Sequence, residues 1–274
     1  DMVVIGSGPA GHSAAIQTAK VNKRVALVER RDVVGGTMLN TGTIPSKTLR
    51  EAAMYLTGYR EHALYGESYS VKQNISMQDL LFRTEHVMRH EVDVKRHQLM
   101  RNGVELVTAE ASFQDPHTVQ LNAIEGKSHR QVTASSFVIA SGTTATEPDH
   151  IAFDRKRVFL SDDILKLDRL PRTMTVVGAG VIGLEYASIF ATLGVRVTLI
   201  DKYPQLLPFM DREIIELLVY HLRSQRVTLR LNEEVNGIEQ IDDERGGRVR
   251  IGLASGKKIV TEMALYSIGR TGAT

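Results

Sequence analysis

The chain contains no cysteine. That excludes disulfide bonds, thiolate metal sites and cysteine nucleophiles within these residues, and it suits a reducing compartment such as the cytoplasm. No stretch approaches the roughly 20 consecutive apolar residues of a membrane-spanning helix. No run of basic residues stands out from a formal net charge of +2, so neither a bilayer nor a nucleic acid is called for as a partner. The chain opens directly into a strand-like run, Met2 to Ile5, so the expectation is no signal peptide and a trimmed or fragmentary N terminus. What is present is a globular mixture of 42% apolar and 24% charged residues. Its 274 residues are enough for two domains of ordinary size.

The apolar run Met2–Ile5 leads into Gly6-Ser-Gly8-Pro-Ala-Gly11, an Ala-rich helical stretch to about Val21, and a second strand, Arg24 to Val28, with Glu29 at its end. This is a dinucleotide fingerprint in its required order of strand, turn, helix and strand. Gly6 makes the turn, Gly8 admits a pyrophosphate, and Gly11 lets helix and strand approach. The N–H groups at the helix start face the phosphates. Glu29, 23 residues after Gly6, would accept from ribose hydroxyls, with Arg30 beside it. The same pattern recurs: strand Thr173–Val177, turn Gly178-Ala-Gly180-Val-Ile-Gly183, helix Leu184–Leu193 and strand Arg196–Ile200. It ends at Asp201, again 23 residues after the first glycine. Two fingerprints at matched spacing indicate two bound dinucleotides.

Between them, the spacing predicts a helix from Pro45 to about Tyr59, an irregular polar stretch over 60 to 75, and a long helix from Ser76 to Arg101. His86 and His90 lie four apart on the latter without an identifiable third ligand, so they read as a solvated face and no metal site is expected. Short strands follow at Val104–Thr108, Thr118–Leu121, Gln131–Thr133 and Ser136–Ala140, with a turn at Gly126. Residues 143 to 172 read as a connection, with a short capped helix at Ser161-Asp-Asp-Ile-Leu. Asp211 to Ser224 reads as an amphipathic helix with Ile214, Ile215, Leu217, Leu218 and Leu222 facing inward. Val227–Leu231 is a strand, and 235 to 267 a β-meander turning at Gly246-Gly247 and Ser255-Gly256.

One further stretch, Gly35-Gly-Thr-Met-Leu-Asn-Thr-Gly-Thr-Ile-Pro-Ser-Lys47, follows the first fingerprint and opens a helix, with Thr43 at or near its N-cap and Pro45 in its first turn. It resembles the flavin-dependent pyridine nucleotide–disulfide oxidoreductases. That family carries Gly-Gly-Thr-Cys-Leu-Asn-x-Gly-Cys-x-Pro-Ser-Lys here, its two cysteines forming a redox disulfide over the flavin. This chain has Met38 and Thr43 at those positions. Ser136 to Gly142 resembles the family segment that returns the chain to FAD, and Ser267-Ile-Gly-Arg270 the segment closing the nicotinamide nucleotide domain. Gly42–Arg50, Val181–Phe190 and Gly269–Gly272 are similar to the soluble transhydrogenase branch of the family. That branch often keeps the first cysteine, where this chain has Met38.

The resemblance implies an α/β fold of two Rossmann-like dinucleotide-binding domains, each with a parallel sheet, helices and a β-meander. Residues 1–150 would form the FAD-binding domain and 151–274 the NAD(P)-binding domain. A later flavin-binding segment and the dimer-interface domain would lie outside the chain. FAD would sit on Gly6, Gly8, Gly11, Glu29, Arg30, Gly35, Gly36, Thr37, Lys47, Ser141 and Gly142. NAD(H) and NADP(H) would sit on Gly178, Gly180, Gly183, Asp201, Lys202 and Gly269. Lys47, paired with Glu185, would stand near the flavin and tune it. A thioether and a hydroxyl cannot form a disulfide, so a disulfide reductase in the usual sense is excluded. What is left is hydride transfer, NADPH + NAD+ ⇌ NADP+ + NADH, by a cytoplasmic homodimer or higher oligomer. A diaphorase-like oxidoreductase with a small acceptor, or a non-catalytic nucleotide-binding protein, are the alternatives. At the second site Gly183 and Asp201 favour NAD(H), while Lys202 could swing to a 2′-phosphate.

Anaerobic dithionite titration of the full-length protein is therefore expected to stop at about two electrons per flavin, with no long-wavelength thiolate-to-flavin charge-transfer band. Uptake of about twice that, with such a band, would reveal a redox disulfide supplied from elsewhere.

Overall fold

Short Val-, Ile- and Leu-rich runs buried on both faces make parallel strands, and the turns between them are set by glycine. The computed structural model describes residues 1–124, 129–243 and 246–273. In chain order the first elements are β1 (Met2–Ile5), α1 (Pro9–Lys20), β2 (Val25–Glu29), α2 (Gly36–Asn40), α3 (Thr43–Leu56), α4 (His62–Tyr65) and α5 (Met77–Arg101). The strands β3 (Glu105–Thr108), β4 (Glu110–Asp115), β5 (Thr118–Asn122), β6 (His129–Thr133), β7 (Ser136–Ile139), β8 (Thr143–Ala145), β9 (Val158–Leu160) and β10 (Thr173–Val177) follow. The chain continues with α6 (Val181–Thr192), β11 (Arg196–Asp201), α7 (Arg212–Ser224), β12 (Thr228–Leu231), β13 (Val235–Asp243) and β14 (Gly246–Leu253), and ends with β15 (Lys258–Thr261), β16 (Met263–Tyr266) and β17 (Arg270–Gly272). Single 3-10 turns occupy Tyr59–Glu61 and Ser161–Lys166.

The chain divides into two compact units that are interleaved in sequence. One holds Asp1–Pro45, Glu85–Thr144 and the last residues from Gly272; the other holds Ser46–Thr84 and Ala145–Thr271. Packing thus partitions the chain differently from a single cut at residue 150, because the body of α3 and the first turns of α5 belong with the later half.

In the first unit the parallel sheet runs β3-β2-β1-β7, with Met2 opposite Val25 on one side and Ser136 on the other. Its residues alternate between two cores, as strand geometry requires. Val4 and Leu27 face one core with Ala15 of α1 and Leu99 of α5. Val3 and Val28 face the other with Val119 and Leu121, and those belong to the antiparallel meander β4-β5-β6. The second unit repeats the plan around the sheet β12-β11-β10-β16-β9. Val176, Leu199 and Leu265 share a core with Leu184 and Phe190 of α6 and Leu49 of α3. Val177, Ile200 and Tyr266 share a core with Ile238, Val249 and Ile251 of the meander β13-β14-β15.

Several expectations change. The helix at the Pro-Ser-Lys stretch begins at Thr43 itself, so Thr43 is a helical residue and not its cap. A short helix, α2, precedes it where none was expected. Ile214 and Leu217 of α7 are exposed, because α7 turns only a narrow side, centred on Leu218 and Leu222, toward the sheet. The connection 143–172 contains a buried sheet strand, β9. β14 begins at Gly246, so Gly246 and Gly247 are strand residues; residues 244–245 lie outside the described residues, as does the turn expected at Gly126. The turn at Ser255-Gly256 is present. His86 and His90 are exposed on α5, and no group of three or more metal-ligating side chains forms among the described residues. No helix among them is long and apolar enough to cross a membrane.

Two helix starts are closed by side chains. Ser76 Oγ accepts from the Asp79 N–H at 3.3 Å while the Asp79 carboxylate accepts from the Ser76 N–H at 2.9 Å, a reciprocal cap for α5. Asp211 caps α7 by accepting from the Glu213 N–H at 2.9 Å.

One residue in the first turns of α1 is out of keeping with its surroundings. His12 is buried, and its Nε2 has no hydrogen-bond partner among the described residues. Burial, reinforced by the Lys95 ammonium on α5, holds its pKa below the usual 6.5. A histidine whose pKa is lowered by folding takes up its proton more readily when unfolded, so its contribution to stability is intact above about pH 6.5 and is lost as pH falls further. The unfolding midpoint of the full-length protein should therefore drop more steeply below that pH in the wild type than in His12→Gln. Equal slopes would show that His12 has no part in the acid response.

Candidate functional site

The first nucleotide loop lies between β1 and α1. Gly6 has φ +100°, and a Cβ on Gly11 would come within 1.9 Å of the Gly6 carbonyl oxygen, so only glycine lets α1 start this close to the turn. Gly8, by contrast, faces open space, with nothing nearer to a built Cβ than Gly36 Cα at 3.9 Å. That leaves a backbone-lined cradle at the N-terminus of α1, which fits a pyrophosphate.

The loop is tied down by Glu29. Its Oε2 accepts from the Ser7 N–H at 3.0 Å and the Ser7 hydroxyl at 2.6 Å, and its Oε1 accepts from the Arg31 N–H at 3.0 Å. Ser7 Oγ in turn accepts from the Gly35 N–H at 3.1 Å, which joins the Gly35–Thr37 segment to the loop. Thr37 Oγ1 donates to the Thr143 carbonyl at 3.3 Å, next to Gly142. Ser7 thus joins Glu29 to Gly35, and Thr37 is bonded beside Gly142, whereas the Arg30 side chain is exposed and has no described partner. Ser7 was not anticipated. Its signal lay in the fingerprint itself, since a hydroxyl after the first glycine can reach an acid at the end of the second strand.

The second loop repeats this construction. Gly178 has φ +99°, a Cβ on Gly183 would meet the Gly178 oxygen at 1.9 Å, and Gly180 faces open space. Asp201 Oδ2 accepts from the Ala179 N–H at 2.5 Å, and its Oδ1 accepts from the Tyr203 N–H at 2.9 Å. These are the same two backbone positions that Glu29 holds, counted from the first glycine and from the acid. Gly178, Gly180, Asp201, Lys202, Phe209 and Arg270 line a cavity of about 730 Å³, within the range of small-molecule sites. Gly269 also lines it, with its carbonyl accepting from the Thr146 N–H at 3.0 Å. Arg270 donates to both oxygens of Asp162 at 2.7 and 3.2 Å. Asp162 was not foreseen, because no local pattern signals a partner 108 residues away.

Within the second unit, Lys47 Nζ donates to Glu185 Oε1 at 2.5 Å, and Ser46 Oγ donates to the same oxygen at 3.2 Å. Glu185 is largely shielded, whereas Lys47 remains more than half exposed. The pair expected from the family pattern is thus formed, with the glutamate held by two donors at the start of α3. Tyr186, next to Glu185, is buried; desolvation first, then the Glu185 and Asp162 carboxylates, raise its pKa, so it stays a neutral phenol.

Two glycine-sealed loops, each with an acid-clamped strand end, are two copies of one dinucleotide-fold construction. Residues 1–274 match the family described as pyridine nucleotide-disulphide oxidoreductase, and the chain belongs to it. It is 51% identical, over its full length, to the soluble pyridine nucleotide transhydrogenase of Mycobacterium bovis (strain BCG / Pasteur 1173P2), and 40% identical to that of Colwellia psychrerythraea. In both cases it spans 58% of the relative's length. Among solved structures it is similar to LpdA from Mycobacterium tuberculosis, with TM-score 0.88 and 25% identity over all of this chain and 59% of that one. It is also similar to the HOCl-induced flavoprotein disulfide reductase RclA from Escherichia coli, with TM-score 0.83 and 27% identity over all of this chain and 57% of that one. These likenesses accord with the Rossmann-like architecture of both units.

The clamp gives a direct test. Ser7→Ala deletes the 2.6 Å bond to a buried carboxylate and should lower the stability of the full-length protein to urea by about 1–3 kcal/mol. A variant as stable as wild type would show that the N–H bond alone suffices.

Proposed function

We propose that the full-length protein is an FAD-dependent pyridine nucleotide transhydrogenase that moves hydride equivalents between NADPH/NADP+ and NADH/NAD+ without a redox disulfide. The observation that carries this reading is the intact Lys47–Glu185 pair in a sequence stretch whose two cysteine positions hold Met38 and Thr43. The names of the relatives support the same activity. In this proposal residues 1–150 bind FAD, through Gly6, Gly8, Gly11, Glu29, Arg30, Gly35, Gly36, Thr37, Ser141 and Gly142, and residues 151–274 bind the nicotinamide nucleotides. The relatives' shared designation as soluble supports a protein of the aqueous cytoplasm; a homodimer or higher oligomer is part of the proposal.

Bound FAD would supply the two-electron carrier between two nicotinamides. The rest is the work of this chain's residues. The Gly8 and Gly180 cradles and the N–H groups behind them would hold pyrophosphates. Glu29 and Asp201, already bonded to their loops, would each share a remaining lone pair with a ribose hydroxyl. Glu185 and Ser46 fix where Lys47 stands, so its ammonium is preorganised to offset the negative charge that builds on reduction. Asp201 would favour NAD(H), and Lys202 would admit the 2′-phosphate of NADP(H).

Full-length protein supplied with NADPH and a thio-analogue of NAD+ should reduce the analogue. Lys47→Met should lower the flavin potential and slow its reduction at least about tenfold, with nucleotide affinity largely kept. If the wild type reduces a small quinone with NADH but moves nothing from NADPH to the analogue, the diaphorase-like activity stands in place of transhydrogenation. An unchanged potential and rate in Lys47→Met would remove the lysine from its role.

A further inference from the structure

Tyr203 has no part in the chemistry described so far, yet it lines the second cavity. Its backbone is held on both sides, the N–H donating to Asp201 Oδ1 at 2.9 Å and the carbonyl accepting from the Asn232 N–H at 3.0 Å. Its ring is more than half exposed, and the Lys202 ammonium sits over it, 5.4 Å from the centroid. That is within cation–π range.

The charges around this point limit what can receive a nucleoside 2′-phosphate. Asp201 cannot swing aside, because both of its oxygens are engaged by the loop. The cavity lining contains two cations, Lys202 and Arg270. Arg270 is taken up bidentately by Asp162. Lys202 makes no ion pair among the described residues, and the adjacent Glu233 does not compete for it, being bonded to Ser255 and Lys257. An unrestrained lysine is a flexible point charge that loses much rotamer freedom on capture. A ring anchored beside Asp201 removes part of that freedom beforehand.

We propose that Tyr203 is the positioning residue that places Lys202 for the 2′-phosphate of NADP(H), so that the tyrosine ring sets the balance between the two coenzymes. The inference rests on the transhydrogenase reading, which requires NADP(H) to bind. Lys202 answers the phosphate charge that Asp201 opposes, and Tyr203 acts only through Lys202.

The test measures the affinities of adenosine 2′,5′-bisphosphate and ADP for the full-length flavoprotein by titration calorimetry, together with flavin reduction by NADPH and NADH. Tyr203→Leu should lower the preference for the 2′-phosphate about two- to fivefold, the size of an exposed cation–π contact. Tyr203→Phe should keep it. In a Lys202→Ala background, Tyr203→Leu should change the preference no further, a coupling that a merely structural tyrosine would not produce. If the wild type reduces its flavin with NADPH and Tyr203→Leu keeps the wild-type preference, or if its effect persists without Lys202, the inference falls and the transhydrogenase reading survives. If NADPH does not reduce the wild-type flavin, both fall together.

Discussion

Each nucleotide loop depends on one interaction, a carboxylate at the end of the second strand that accepts the N–H of the residue after the first glycine. Glu29 holds Ser7 in this way and Asp201 holds Ala179. Charge-assisted bonds of this kind contribute more than neutral ones, about 1.5–3 kcal/mol each. Their geometric effect is larger than their energy. They pull the first turn against the neighbouring strand, which leaves Gly6 and Gly178 at nearly the same φ, +100° and +99°. They also leave the helix N-termini open where Gly8 and Gly180 face outward. The two acids differ in length by one methylene and still reach equivalent N–H groups; the first clamp also takes in a hydroxyl, Ser7 Oγ, and the second does not.

The stretch from Gly35 to Lys47 splits into two parts with different histories of constraint. Its glycine-rich start packs backbone to backbone against the first loop: a Cβ on Gly36 would lie 2.7 Å from Gly8 Cα. Its end delivers Ser46 and Lys47 to Glu185. Neither part needs a thiol. Met38 sits half-buried in α2 and Thr43 starts α3, so both positions are absorbed into ordinary helical structure. The geometry that seats a nucleotide loop and the geometry that fixes a cation are therefore separable from disulfide chemistry. That separation is the physical ground on which a hydride-only activity is proposed.

Much of this was legible in the sequence because it is local. The two fingerprints, their acids at equal offset and the alternation that feeds two cores per sheet are all patterns within about thirty residues. What was not legible is non-local. Nothing in residues 46 to 84 says that they pack with the later half of the chain. Leu49 and Leu80 look like any core-facing leucines, yet both join the core built on Val176 and Phe190. β9 was hidden because three residues carry too little periodicity to be read. On α7, Ile214 and Leu217 share the hydrophobic side of the helix with Leu218, but the sheet covers only part of it. Composition alone cannot tell a covered apolar side from an open one. The helix start at Thr43 was misplaced by two residues because Pro45 is as acceptable anywhere in the first turn as at its first position.

The clamp also changes how an acid at the strand end bears on coenzyme choice. A free aspartate would accept both bonds that a ribose can offer and would repel a 2′-phosphate outright. Asp201 already accepts from the Ala179 and Tyr203 N–H groups. It also lines the cavity and is partly exposed, where charges are screened over about 8–10 Å by physiological salt. The cost of several kcal/mol that like charges incur when desolvated is therefore reduced at this position, though not removed. A carboxylate required to hold the loop cannot be exchanged for a basic residue without releasing Ala179. Selectivity then has to be adjusted by its neighbours, and among the cavity-lining cations only Lys202 stands next to the clamp in sequence with no ion pair among the described residues. In the proposed reading, a site that takes both coenzymes would be served by this division of labour, with the structural acid constant and the adjacent cation, held by its tyrosine, adjusting the balance.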